Sequence, residues 1–143
     1  ISIGVVVWKD DQVLLIRRGK APRLGQWSLP GGAQELGETI AETAAREVRE
    51  EAGIEIGVPR LVDVVDSIQR EADGRVLYHY TLVDVTADWL SGEAQAGSDA
   101  AAVAWVRPAE LAAYELWSET GRIIALAAEK RRPVAANPQP SGL

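Results

Sequence analysis

The sequence predicts a mixed α/β domain with helices packed on a strongly twisted sheet. Three observations point there. Apolar runs of strand length alternate with glycine- and proline-marked breaks, one well-capped helix stands near residue 40, and a second closes the pattern. The expected order is β-β-helix-β-β-β-helix.

"SIGVVVWKDDQVLLIRR" reads as two strands joined at Asp10-Asp11, followed by a loop punctuated by Gly19, Pro22 and Gly25. "WSLPGGAQE" reads as a short strand broken by a turn at Pro30-Gly31-Gly32. Thr39 with Glu42 three residues on forms a capping box, and Gly53 supplies the stop. Between them Ala41, Ala44, Ala45, Val48 and Ala52 make one apolar face, small enough for close approach to a sheet.

Two long strands around Asp73-Gly74 read as a second hairpin, and "DWLSGEAQAGSDAA" as a polar loop. "AVAWVRP" reads as another strand, and Pro108 through Ala113 as a helical turn. A final helix starts behind Ser118 as N-cap, with basic residues at its C-terminal end. Residues 1–132 are expected to form one domain, and the Pro-rich tail 133–143 a flexible extension.

The bulk numbers narrow the function. The 143 residues are 47% hydrophobic, enough for one real core. With no cysteine, disulfides and thiolate metal sites are excluded. A net charge of −6 argues against nucleic acid as a general partner. No apolar run is long enough to span a bilayer and no secretory pattern is present, so the cytoplasm is the expected compartment and no membrane partner is expected. A chain that begins at Ile1 without any methionine suggests a trimmed or disordered native start.

The chemistry concentrates on the first helix. Glu47, Glu50 and Glu51 fall within one arc beside the alanine face, at the edge of a cleft. Glu47 and Glu51 repel at i,i+4 unless a cation joins them. A cluster of oxygens without histidine or cysteine suits Mg²⁺ or Mn²⁺, which bridge carboxylates to phosphates. Arg46 is placed to grip a carboxylate with both arms of its guanidinium, and a carbonyl of the glycine turn can complete the coordination.

Gly32, Glu38, Arg46, Glu47, Val48, Glu50, Glu51, Gly53 and Ile54 fill all nine specified positions of G-x5-E-x7-R-E-U-x-E-E-x-G-U, where U is a bulky aliphatic. The chain therefore resembles the Nudix hydrolase family, with "LLIRR", "GQWSLPGG" and "AWVRPAEL" adding likeness outside the box. The resemblance implies a mixed twisted sheet sandwiched by helices. It also implies hydrolysis of the pyrophosphate bond in a nucleoside diphosphate linked to another moiety. Glu47, Glu50 and Glu51 would bind the metals with the Gly31 carbonyl, and Glu38 and Arg46 would orient them. The general base would be Glu47, Glu50 or an acid of the late loop, first Asp99, which is also a candidate metal ligand, and then Glu93.

Alternatives stay open for single residues. Asp99 also reads as a turn cap, and His79, the sole histidine, as a packed or surface strand residue. Arg17, Arg18, Lys20 and Arg23 form the one basic concentration and are candidate phosphate contacts, although alternation points Arg17 and Arg18 to opposite faces. Trp27 is the tryptophan placed to stack on a base. A catalytically idle nucleotide sensor is the rival of another class, but this chain retains every carboxylate of the box.

The resemblance implies a small nucleotide as substrate, and a monomer or homodimer is expected. ADP-ribose or a nucleotide sugar is favoured, because two long strands after the box can frame a two-part ligand; nucleoside triphosphates come next. The proline that marks many ADP-ribose enzymes is replaced by Gln69 and Arg70, and Arg70, Glu71 and Ala72 supply no tyrosine for dinucleoside polyphosphates. The coenzyme A pattern is met in part, by Leu14, Leu15, Arg18 and Gly25.

Overall fold

The unbroken apolar run Val5-Val6-Val7-Trp8 of the first strand already requires two covered faces, and the computed structural model has both. It describes residues 1–131 apart from Pro22 and Ser98. Arg132 and the tail 133–143 lie outside the described residues.

The strands are β1 (Ser2–Lys9), β2 (Gln12–Arg18), β3 (Trp27–Ser28), β4 (Gly31–Ala33), β5 (Glu55–Ile56), β6 (Arg60–Arg70), β7 (Val76–Ser91) and β8 (Ala100–Val106). The α-helices are α1 (Ile40–Ala52) and α2 (Ser118–Arg131), and a 3₁₀ helix spans Pro108–Tyr114. β1 runs antiparallel to β2 and β4 but parallel to β7. β8 extends the sheet beyond β2, and β6 pairs with β7 over nearly its whole length.

Ile3, Val5 and Val7 of β1 join Ala44, Val48 and Ala52 of α1 in one core. Val6 and Trp8, pointing the other way, join Ile123, Ile124 and Ala127 of α2 in the second. The sheet is thus sandwiched between helices.

Four expectations change. Gly31 and Gly32 are strand, not turn: they pair with Gly4 and Ile3. Glycine is needed there for close approach, because a Cβ on Gly31 would strike the Ile3 carbonyl and one on Gly32 the Glu47 carboxylate. β7 runs on through Trp89 to Ser91, since Ile56 of β5 pairs with Trp89 and extends the ladder into the expected loop. Ala41 is exposed and Thr43 takes its place on the buried face of α1, its hydroxyl satisfied by Glu38 and by the Thr39 carbonyl. Ser118 opens α2 as its first helical residue.

Candidate functional site

Local rules fix where the carboxylates stand. The N–H of Glu42 donates to Thr39 Oγ1 at 3.1 Å and the N–H of Thr39 to Glu42 Oε1 at 2.9 Å, closing the expected capping box. Gly53 ends α1 at φ 71°, a left-handed conformation that glycine adopts at no steric cost. With Ala44, Val48 and Ala52 turned to the sheet, Glu47 and Glu51 come to the rim and Glu50 points outward.

Arg46 is the hub. Its Nε donates to Glu38 Oε2 at 2.7 Å and its Nη2 to Glu38 Oε1 at 3.0 Å, a bidentate pair. Nη1 reaches Glu47 at 2.8 Å and Glu50 at 3.3 Å, and Nη2 the Ala33 carbonyl at 3.0 Å. Glu38 also accepts from the N–H of Glu35 and from Thr43 Oγ1. The Arg46 guanidinium, helped by these donors, holds the Glu38 carboxyl down to about 2.

Glu47 and Glu51 form a close carboxyl pair. Each perturbs the other's charge, and the N–H of Gly31 donates to Glu51 Oε2 at 3.1 Å. Burial raises both pKa values, that of Glu51 to about 8; the charge of Glu47 pushes it further, while the Gly31 N–H and Arg18 oppose the rise. Both carboxyls are therefore harder to ionise than a free glutamate.

This donor set suits a hard divalent cation: oxygens only, from two carboxyls one helical turn apart whose charges a cation would offset. Among the described residues, no three acidic or histidine side chains are yet gathered into one set. Glu50 is the outlier, half-exposed and drawn toward Arg46.

The late loop is tied to α1 by its backbone. The N–H groups of Gln95 and Gly97 donate to the carbonyls of Ala52 and Glu51, both at 2.9 Å. Its acids do not join the glutamates: Asp99 pairs with Lys20 at 2.7 Å on the surface, and Glu93 is exposed. Of the basic residues, Arg18 and Arg23 line a cleft of about 690 Å³, whereas Arg17 lies over the Trp27 ring at 5.9 Å. The β2–β8 register shifts between Arg17 and Arg18, so simple alternation does not carry through to this end of β2.

The cleft opens on the α2 face of the sheet. The helix glutamates do not line it; Gly31, which bonds Glu51, and Arg18, whose charge reaches Glu51, connect the two. Trp27, edge-on to Tyr114 at 5.1 Å, is on its wall, and so are Tyr78, Tyr80 and Trp117. His79 stands outside it, bonded to Asp66 at 3.1 Å on the exposed hairpin. Sequence reasoning missed Asp84, a buried carboxylate on the cleft lining. The signal was there: one acid inside the apolar run "YTLVDVTA".

Comparisons with known proteins identify the family and the fold. A family model described as NUDIX domain matches residues 1–127. An ADP-ribose pyrophosphatase from Methanocaldococcus jannaschii is 37% identical over 100 residues, 70% of this chain but 57% of that protein, so the chain spans less than two thirds of that relative's length. The crystal structure of a MutT NUDIX hydrolase from Burkholderia pseudomallei is similar with a TM-score of 0.74 and 30% identity, over 87% of this chain and 95% of that one. That of an ADP-ribose pyrophosphatase from Streptococcus suis gives a TM-score of 0.73 at 25% identity, over 93% and 92%. With its motif intact at residues 32–54 and the family model matching almost end to end, the chain belongs to the NUDIX family.

Proposed function

We propose that this protein hydrolyses the pyrophosphate bond of a nucleoside diphosphate linked to a second moiety, ADP-ribose or a nucleotide sugar, with Mg²⁺ or Mn²⁺. The observation that carries this reading is the Glu47–Glu51 carboxyl pair, joined through Gly31 to a nucleotide-sized cleft. The two relatives named ADP-ribose pyrophosphatase support the substrate class.

Glu47, Glu50, Glu51 and the Gly31 carbonyl would hold the metal, while Glu38 fixes Arg46, which in turn fixes the glutamates. A bound divalent ion would neutralise the diphosphate and lower the pKa of a coordinated water. Glu47 or Glu50 would accept the proton of the attacking water as its oxygen bonds to phosphorus and the bridging P–O bond breaks. Arg18 and Arg23, on the cleft wall, contact the phosphates and stabilise the leaving one. Arg17 and Lys20 lie outside that wall, and Asp99 would reach the metal only by leaving Lys20.

The test is product analysis across ADP-ribose, nucleotide sugars, dinucleotides, coenzyme A and common triphosphates. A nucleoside monophosphate should appear from at least one diphosphate-linked substrate in Mg²⁺ or Mn²⁺ and vanish with EDTA. Turnover of triphosphates alone would move the assignment to the second-ranked class. No turnover anywhere would favour the nucleotide sensor.

A further inference from the structure

Two charged groups on the cleft lining, Asp84 and Glu119, are not used by the hydrolysis described above, and Glu119 is already held by Arg122 at 2.7 Å. Asp84 lies on β7, opposite Gly4 of β1 in the sheet register, and is 7% exposed. Among the described residues its carboxylate makes no hydrogen bond or ion pair. The nearby cation, Arg122, directs its N–H groups at Glu119 (2.7 Å) and Asp63 (3.0 Å) instead. Burial, reinforced by the charge of Asp63, raises Asp84 to about 6. A buried carboxylate with a merely structural role would be hydrogen-bonded.

β1 is shaped around this group. Gly4 interrupts a strand of Ile3, Val5, Val6 and Val7, and a Cβ there would strike Asp84 Oδ1. A glycine inside a strand weakens it, and such a position marks a close approach. Here the gap leaves room for the carboxylate on the cleft side.

The walls indicate what reaches it. Trp27, Leu29, Tyr80, Leu82, Trp117 and Ile123 present flat and apolar surface on which a planar ring can stack. Asp84 lines the same cleft and is available to polar groups on such a ring. An ionised carboxylate only accepts hydrogen bonds, so it complements an amino group and repels a carbonyl oxygen.

We propose that Asp84 is a specificity-determining residue that accepts a hydrogen bond from an exocyclic amino group of the substrate's base. Adenine, guanine and cytosine carry such a group; hypoxanthine and uracil do not. This rests on the cleft being the nucleotide site, but not on hydrolysis.

Equilibrium binding at pH 8 in EDTA tests it with three pairs: AMP against purine riboside monophosphate, GMP against IMP, and CMP against UMP. Wild type should bind the amino-bearing member at least about tenfold more tightly in one pair or more. Asp84→Asn should bring that ratio within about twofold. So should Gly4→Ala, which displaces the carboxylate and keeps its charge. A wild type with no pair above threefold overturns the proposal, whether or not the variants fold. So does a folded variant that weakens both members of the pair equally. The 2′-deoxy forms separate base from sugar: if Asp84→Asn removes a preference for ribose and leaves the amino preference, Asp84 reads the sugar and the proposal falls. An amino preference that depends on Asp84, in a protein that hydrolyses nothing, would keep this inference and sink the proposed reaction.

Discussion

Glu47 and Glu51, one turn apart on α1, are both raised in pKa by burial, and the charge of Glu47 raises Glu51 further while the Gly31 N–H donates to Glu51 at 3.1 Å. The repulsion expected of an i,i+4 glutamate pair is therefore felt in the folded state as a raised pKa. Glu51→Gln removes a charge at nearly constant shape. In EDTA at pH 8 the variant should match wild type or exceed it by about 0.5–1 kcal/mol. Urea unfolding at fixed ionic strength reads this directly; a markedly weaker variant would mean that Glu51 holds the fold together.

The same pair sets a pH slope. Glu51 has its folded pKa raised from 4.5 to about 8, so the unfolded chain gives up its proton first. Its stability contribution is full below pH 4.5 and is lost as pH rises through 8. Wild type in EDTA should lose stability across that window and Glu51→Gln should lose less. Parallel curves for the two proteins would refute the assignment.

Adding Mg²⁺ should reverse the ranking. An ion bound with a dissociation constant of about 1 mM stabilises wild type by about 1.4 kcal/mol at roughly 10 mM, and a variant short of a ligand by less. Equal gains in thermal unfolding would place the ion elsewhere.

Arg46 and Glu38 test the supporting frame. Arg46→Lys loses the two-armed grip on Glu38 and the reach to Glu50 and Ala33. Supporting partners of metal ligands are worth about tenfold to a hundredfold in activity. Steady-state kinetics should show kcat falling by that much with KM little changed. An unaltered kcat would reduce Arg46 to a surface residue.

Asp99 separates the late loop from the chemistry. Its salt bridge with Lys20 is exposed, and such pairs contribute about 0–1 kcal/mol. Asp99→Asn should leave kcat within about threefold. A loss of a hundredfold would show that the loop carries Asp99 to the metal during turnover.

Legibility followed the range of the interactions. The α1 caps, the β1–β2 hairpin and the nine motif positions are short-range patterns, and the sequence displays them directly. Glu38 and Arg46 were readable for the same reason, being eight residues apart on neighbouring turns of chain. The parallel pairing of β1 with β7, which sets Gly4 beside Asp84, joins residues 80 apart and leaves no local trace. Gly31 and Gly32 resemble a turn because glycine serves both turns and close approaches, and only the packed Ile3 and Glu47 distinguish them. Asp99 could not be assigned from sequence because its partner, Lys20, comes from a distant loop.

The central claim is that the α1 carboxylates perform metal-dependent pyrophosphate hydrolysis. The most direct measurement is the rate of nucleoside monophosphate release by wild type and Glu51→Gln, in Mg²⁺ and again in EDTA. The account predicts turnover by wild type that EDTA abolishes and Glu51→Gln lowers by about a hundredfold or more. Near-normal turnover by Glu51→Gln, or wild-type turnover that persists in EDTA, would contradict it.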